Sequence, residues 1–166
     1  IELTGIGRLV ALTPNDQVNT LAAKRFSRVF GRVGVYQLAP RRFGKAVADT
    51  SDEELGGRLL VGEDATFSRL SQLWGNSGGV VVTALSSAYT IEAFVADMGD
   101  DAVPLFVLTE SGKLTVLAPG QQPPPPARSK LISIVARSSS VDATERARKL
   151  LEVEEVAPTE DEPQRA

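Results

Sequence analysis

At 166 residues the chain has room for one ordinary domain or two small ones. It is 42% hydrophobic and 23% charged, a globular composition, with sparse aromatics at 5% and a formal net charge of −3. It contains no cysteine and no histidine. That excludes disulfides, thiolate or imidazole metal sites, and Ser-His or Cys-His catalytic pairs.

The net charge conceals a split. Residues 1–50 carry eight basic and three acidic side chains, residues 51–140 six and ten, and residues 141–166 four and eight. The basic excess centres on Lys24, Arg25, Arg28, Arg32, Arg41 and Arg42. A solvated face accounts for it most simply; contact with anionic lipid head groups or an acidic partner is the functional alternative. No nucleic acid is expected, because neither interleaved aromatics nor a binding motif accompanies the charges. No apolar run approaches the ~18–20 residues of a membrane span, and no signal peptide is visible. The chain opens on Ile1 rather than Met, so the expectation is a piece whose sheet begins upstream.

Gly5-Ile6-Gly7 precedes a strand instead of following one, and Val10 stands where a dinucleotide fingerprint needs its third glycine. The pair reads as a turn. Leu9–Leu12 is a short apolar run of the kind found in strands covered on both faces. Thr13-Pro14-Asn15-Asp16 breaks it, and Asn15 or Asp16 can cap the helix that follows. In that helix Val18, Leu21, Ala22, Phe26, Val29 and Phe30 share one face, expected to be buried. Asn19, Lys24, Ser27 and Arg28 take the other. Gly31 suits the helix C-terminus, and Val33–Leu38 is a second strand. Strand, crossover helix and strand make a βαβ unit of a parallel sheet.

LVALTPNDQVNTLAA resembles the second half of a Trk/RCK-type nucleotide-binding domain, the regulatory module of bacterial potassium channels and cation transporters. Thr13, Asn15, Asp16 and Asn19 carry the match. GIGRLVALTPND with FGRVGVYQLAP is similar to the cytoplasmic C-terminal region of bacterial sodium/proton antiporters of the cation:proton antiporter superfamily. The similarity is good over residues 5–40 and looser over 55–136.

Residues 39–57 read as a connection, with Pro40, three glycines and the acidic run Asp52-Glu53-Glu54. Arg58–Val61 is a short strand. A helix is expected from about Ala65 to Trp74, with Leu70, Leu73 and Trp74 buried. Gly79–Leu85 is a β-branched strand. Ser86, Ser87 or Thr90 can cap the next helix, whose apolar face is Ile91, Phe94, Val95 and Met98. Leu105–Thr109 and Lys113–Leu117 flank Glu110-Ser111-Gly112 as a hairpin. Pro123–Pro126 form a loop tip outside any ladder. Lys130–Ala136 alternates as a strand does, giving β-α-β-β-β over residues 79–136. Val141 to about Val156 can form an amphipathic helix, and residues 157–166 have the composition of a disordered tail.

The fold class expected is therefore α/β: a partial, parallel Rossmann-like βαβ sheet, then a small α+β domain similar to a Trk/RCK C-terminal domain. Arg128-Ser129 stands where that family often has Gly-Asp. The expected divisions are a C-terminal half of a Rossmann-like domain over 1–40 and a connecting segment over 41–78. The small domain follows over 79–137, then a charged tail over 138–166.

Ligands of parallel α/β sheets bind beyond the carboxyl ends of the strands, where a helix N-terminus offers unpaired N–H groups. Thr13 and Asn15 are placed there to hydrogen-bond a ligand, and Asp16 to accept from hydroxyls or to cap. Asn19 either joins them or braces the turn. The resemblance implies NAD or another adenine nucleotide in the full-length domain. The glycine-rich pyrophosphate loop and the acidic ribose-binding residue after the second strand are absent from this stretch. Asp97, Asp100 and Asp101 read as a solvated loop, because no calcium-loop spacing surrounds them. No nucleophile elbow or opposed carboxylate pair is visible, and no enzyme activity is expected.

The resemblance implies a regulatory role at the cytoplasmic side of the bacterial inner membrane. The partners implied are the protein's own membrane transport domain and a second copy in a homodimer. A Rossmann-type enzyme fragment and a dimerisation module without ligand are the rival readings.

Overall fold

The computed structural model describes residues 5–41, 55–75, 78–120 and 128–136. The Asp52–Glu54 run, the Pro123–Pro126 tip, the helix expected over 141–156 and the tail at 157–166 lie outside these residues.

The protein is mixed α/β, with a three-stranded parallel sheet and a four-stranded antiparallel sheet. The first sheet is β1 (Leu9–Ala11), β2 (Val35–Gln37) and β3 (Arg58–Leu59), in that order. Val10 pairs with Tyr36, and Tyr36 with Arg58. Helix α1 (Asp16–Phe30) and a 3-10 turn (Arg32–Gly34) join β1 to β2. Gly31 ends the helix at φ 70°, a backbone setting that glycine adopts at little cost. The second strand is shorter than its apolar run, because the 3-10 turn takes Val33 and Gly34.

Helix α1 is rotated from the expected orientation. Asn19 and Ala23 are its buried residues, whereas Val18, Leu21 and Val29 are exposed, Leu21 by 71%. Close approach explains this. A Cβ on Gly57 would lie 3.1 Å from both the Ala23 Cβ and the Val35 Cγ1, so α1 sits where only a small side chain fits. Gly56, at φ 65°, has the Lys24 backbone N 2.8 Å from where its Cβ would stand. Small residues on both sides thus outweigh the larger apolar row, which is turned to solvent.

After α2 (Phe67–Gly75), the second sheet contains β4 (Gly79–Ala84), β5 (Ala102–Leu108), β6 (Leu114–Val116) and β7 (Lys130–Val135), ordered β4-β7-β5-β6. Helix α3 (Ile91–Met98) links β4 to β5, which gives the expected β-α-β-β-β succession. Thr90 is its N-cap, accepting from the Ala93 N–H. The hydrogen bond from Thr90 and the residue's own backbone hold the Glu92 carboxyl below its ordinary range. The folded state therefore favours the charged form. That small, solvent-screened contribution is present above the unfolded pKa and lost as pH falls through the folded one. Pro104 lies in β5, a central strand, and is tolerated because the register shifts between Pro104 and Phe106.

One apolar cluster joins the two sheets: Tyr36 and Leu38 after β1–α1, Leu70 and Leu73 of α2, Val103 and Leu105 of β5. A second, with Phe94, Met98, Val107 and Leu131, lies beneath α3. Beyond the α1 row, two more expected core residues are outside: Trp74 is 57% exposed and Val95 46%. The α2 face is set by Leu70 and Leu73 with the half-buried Phe67, and Val95 borders a cleft instead of the cluster below.

Candidate functional site

The turn after β1 brings Thr13, Asn15, Asp16 and Asn19 together at the carboxyl end of the parallel sheet. Asn15 is the N-cap of α1: its Oδ1 accepts from the Gln17 N–H at 3.0 Å and the Val18 N–H at 3.1 Å. Asn19, only 1% exposed, folds back on the turn. Its Oδ1 accepts from the Thr13 N–H at 2.9 Å and the Thr13 hydroxyl at 2.7 Å, while its Nδ2 donates to the Thr13 carbonyl at 2.8 Å. The Thr13 hydroxyl in turn accepts from the Asn15 N–H at 3.3 Å. Three of the four residues thus satisfy one another. This locks the strand-to-helix corner without a ligand.

Asp16 points elsewhere. Its Oδ2 accepts from the Arg41 N–H at 2.7 Å, tying the start of α1 to the segment after β2. Asp16, Thr20, Lys24, Pro40 and Arg41 border a cleft of about 430 Å³, within the roughly 300–1,000 Å³ of small-molecule sites. Lys24 and Arg41 bring positive charge to it, beside the positive dipole end of α1. This wall was not legible in the sequence: Lys24 read only as part of a basic face, and Arg41 reaches the site through tertiary packing.

Gln37 was also missed. It is buried between Ala11 and Leu59 of the neighbouring strands, and its Oε1 has no hydrogen-bond partner. A lone amide in an otherwise apolar parallel strand was the available signal. Among the described residues, no group of three or more acidic side chains is arranged to hold a metal ion. Asp100 pairs with Arg69 at 3.2 Å, and Asp97 accepts from the Tyr89 hydroxyl at 3.3 Å. No helix among the described residues is long and apolar enough to cross a membrane.

No protein-family model matches the sequence, and no curated protein matches it. The functional reading rests on the residues themselves.

Proposed function

We propose that the chain is a regulatory, Trk/RCK-like part of a bacterial sodium (cation)/proton antiporter, lying at the cytoplasmic face of the inner membrane. On this reading it is not an enzyme, and transport is the work of a separate membrane domain. The parallel sheet is half of a Rossmann-like fold, and residues 79–136 are the small α+β domain that accompanies it. The cleft beside the α1 N-terminus takes an adenine nucleotide such as NAD. The observation that carries the reading is the placement of a capped helix start, Lys24 and Arg41 around one cleft that runs from the first turn of α1 to the segment after β2. Asp16 meets the ligand from the cleft wall, Asn15 reaches it from the cap beside the cleft, and Asn19 acts by holding Thr13.

The exposed row Val18, Leu21 and Val29 supplies the surface for a second copy. Packing between copies then depends on what the neighbouring cleft contains.

A second reading, a dimerisation module without ligand, is favoured by the mutual satisfaction of Thr13, Asn15 and Asn19. Calorimetric titration with NAD and ATP, beside thermal melts, separates the two. Asn15→Ser keeps a competent cap but shortens the reach, so melting should hold while nucleotide affinity falls. Asn15→Ala should lose both, with the cap worth about 0.5–2 kcal/mol of stability. If the parent binds neither nucleotide, or Asn15→Ser binds as the parent does, the turn is a helix cap and the second reading stands.

A further inference from the structure

We propose a second small-molecule site, in the cleft between the β3–α2 connection and α3, for a zwitterionic ligand with an apolar body: an α-amino acid such as leucine. The proposal is independent of nucleotide binding.

The cleft measures about 360 Å³ and lies where the β3–α2 connection and α2 meet α3 and β5. Its walls are apolar, formed chiefly by Val61, Val95, Val103 and Leu117. They come from both sides of the junction: Val103 belongs to the cluster between the sheets, and Leu117 packs on the cluster under α3. Val95 leaves 46% of its surface exposed there. A β-branched residue turned outward at a concave junction has apolar surface to offer a ligand.

Among the described residues, two charged side chains complete the lining, Asp64 and Arg69. Arg69 is anchored: its Nη2 donates to the Asp100 Oδ1 at 3.2 Å and lies 3.5 Å from the Asp100 carbonyl. That engages one nitrogen of a guanidinium with five N–H donors, so Nη1 and Nε keep theirs for a carboxylate. Among the described residues, the Asp64 carboxylate has no hydrogen bond or ion pair. An anion alone would meet Asp64 unfavourably, and a cation alone would meet Arg69 unfavourably. A ligand bearing both charges, with an apolar body over Val95 and Leu117, meets neither penalty.

A backbone feature independently marks this place. Val61 has φ 64°, a left-handed setting that a β-branched residue rarely adopts. Its N–H donates to the Leu117 carbonyl at 2.8 Å, joining two of the lining residues. Such strain is concentrated at binding sites where the surrounding structure enforces it.

The test is calorimetric titration of the whole chain with L-leucine, leucinamide and 4-methylpentanoate. Leucine should bind, and each analogue, lacking one charge, should bind about tenfold or more weakly. Arg69→Ala and Asp64→Asn should each weaken leucine by about the same factor. Val95→Trp, at an exposed position, should fill the cleft and abolish binding while the far-ultraviolet spectrum is kept. Asp100→Asn loosens the anchor without touching the ligand, and should retain binding within a few-fold. No heat of binding with leucine, equal affinity for all three compounds, or unchanged binding by Val95→Trp each overturns the proposal. None of these results bears on NAD or ATP, which are titrated at a different cleft.

Discussion

Gly78→Ala is expected to destabilise the fold by at least about 3 kcal/mol, at the upper end for overpacking and near the exceptional range for one substitution. A Cβ at this position would overlap the backbone carbonyl oxygens of Leu73 and Val135. Neither is the tip of a flexible side chain, so relief requires moving the end of α2 or the first rung of the β4–β7 ladder, where Gly79 pairs with Val135. Gly79 supplies the control, because a Cβ there meets nothing within 4 Å. Urea unfolding should show Gly78→Ala far less stable than Gly79→Ala, against a total stability of only about 5–15 kcal/mol. Near-equal midpoints for the two would mean that α2 does not approach β7 as described.

Asn19→Ala should lower stability by about 2–4 kcal/mol. The substitution removes three hydrogen bonds, and the Thr13 N–H and carbonyl are left part-buried without partners. Each bond contributes about 1 kcal/mol and each orphaned group costs about 1–3 kcal/mol, with overlap between the two. Thr13→Val removes the hydroxyl at the other end of the same bond. The pair should therefore be coupled by at least about 0.5 kcal/mol in a double-mutant cycle of urea midpoints. Additive effects, or an Asn19→Ala shift below about 1 kcal/mol, would show that the corner is not braced in this way.

Much of the architecture could be read from local pattern. The β-branched run at Val80–Val82, the Gly112 hairpin and the alternation of Lys130–Val135 each point to a strand by a rule that packing did not override. The orientation of α1 could not be read the same way. Amphipathicity weighs side-chain size, and by that measure Val18, Leu21 and Val29 belong inside. What decided the packing was proximity: Ala23 against Gly57, and Asn19 against Thr13. The small-residue pairs Ala22-Ala23 and Gly56-Gly57 were the visible hint, far apart in the sequence. The candidate site divides likewise. Thr13 to Asn19 are neighbours along the chain and were found together. Lys24 and Arg41 reach their cleft by tertiary folding. Val61 read as an ordinary strand residue, although its φ is positive.

The exposed row on α1 and the nucleotide cleft meet in one measurement, sedimentation velocity of the chain with and without NAD or ATP. Association should be present, should be lost in the Leu21→Glu/Val29→Glu double variant, and should shift when nucleotide is added. A species that sediments as a monomer under every condition, or an assembly indifferent both to the double variant and to nucleotide, would contradict a ligand-dependent regulatory role.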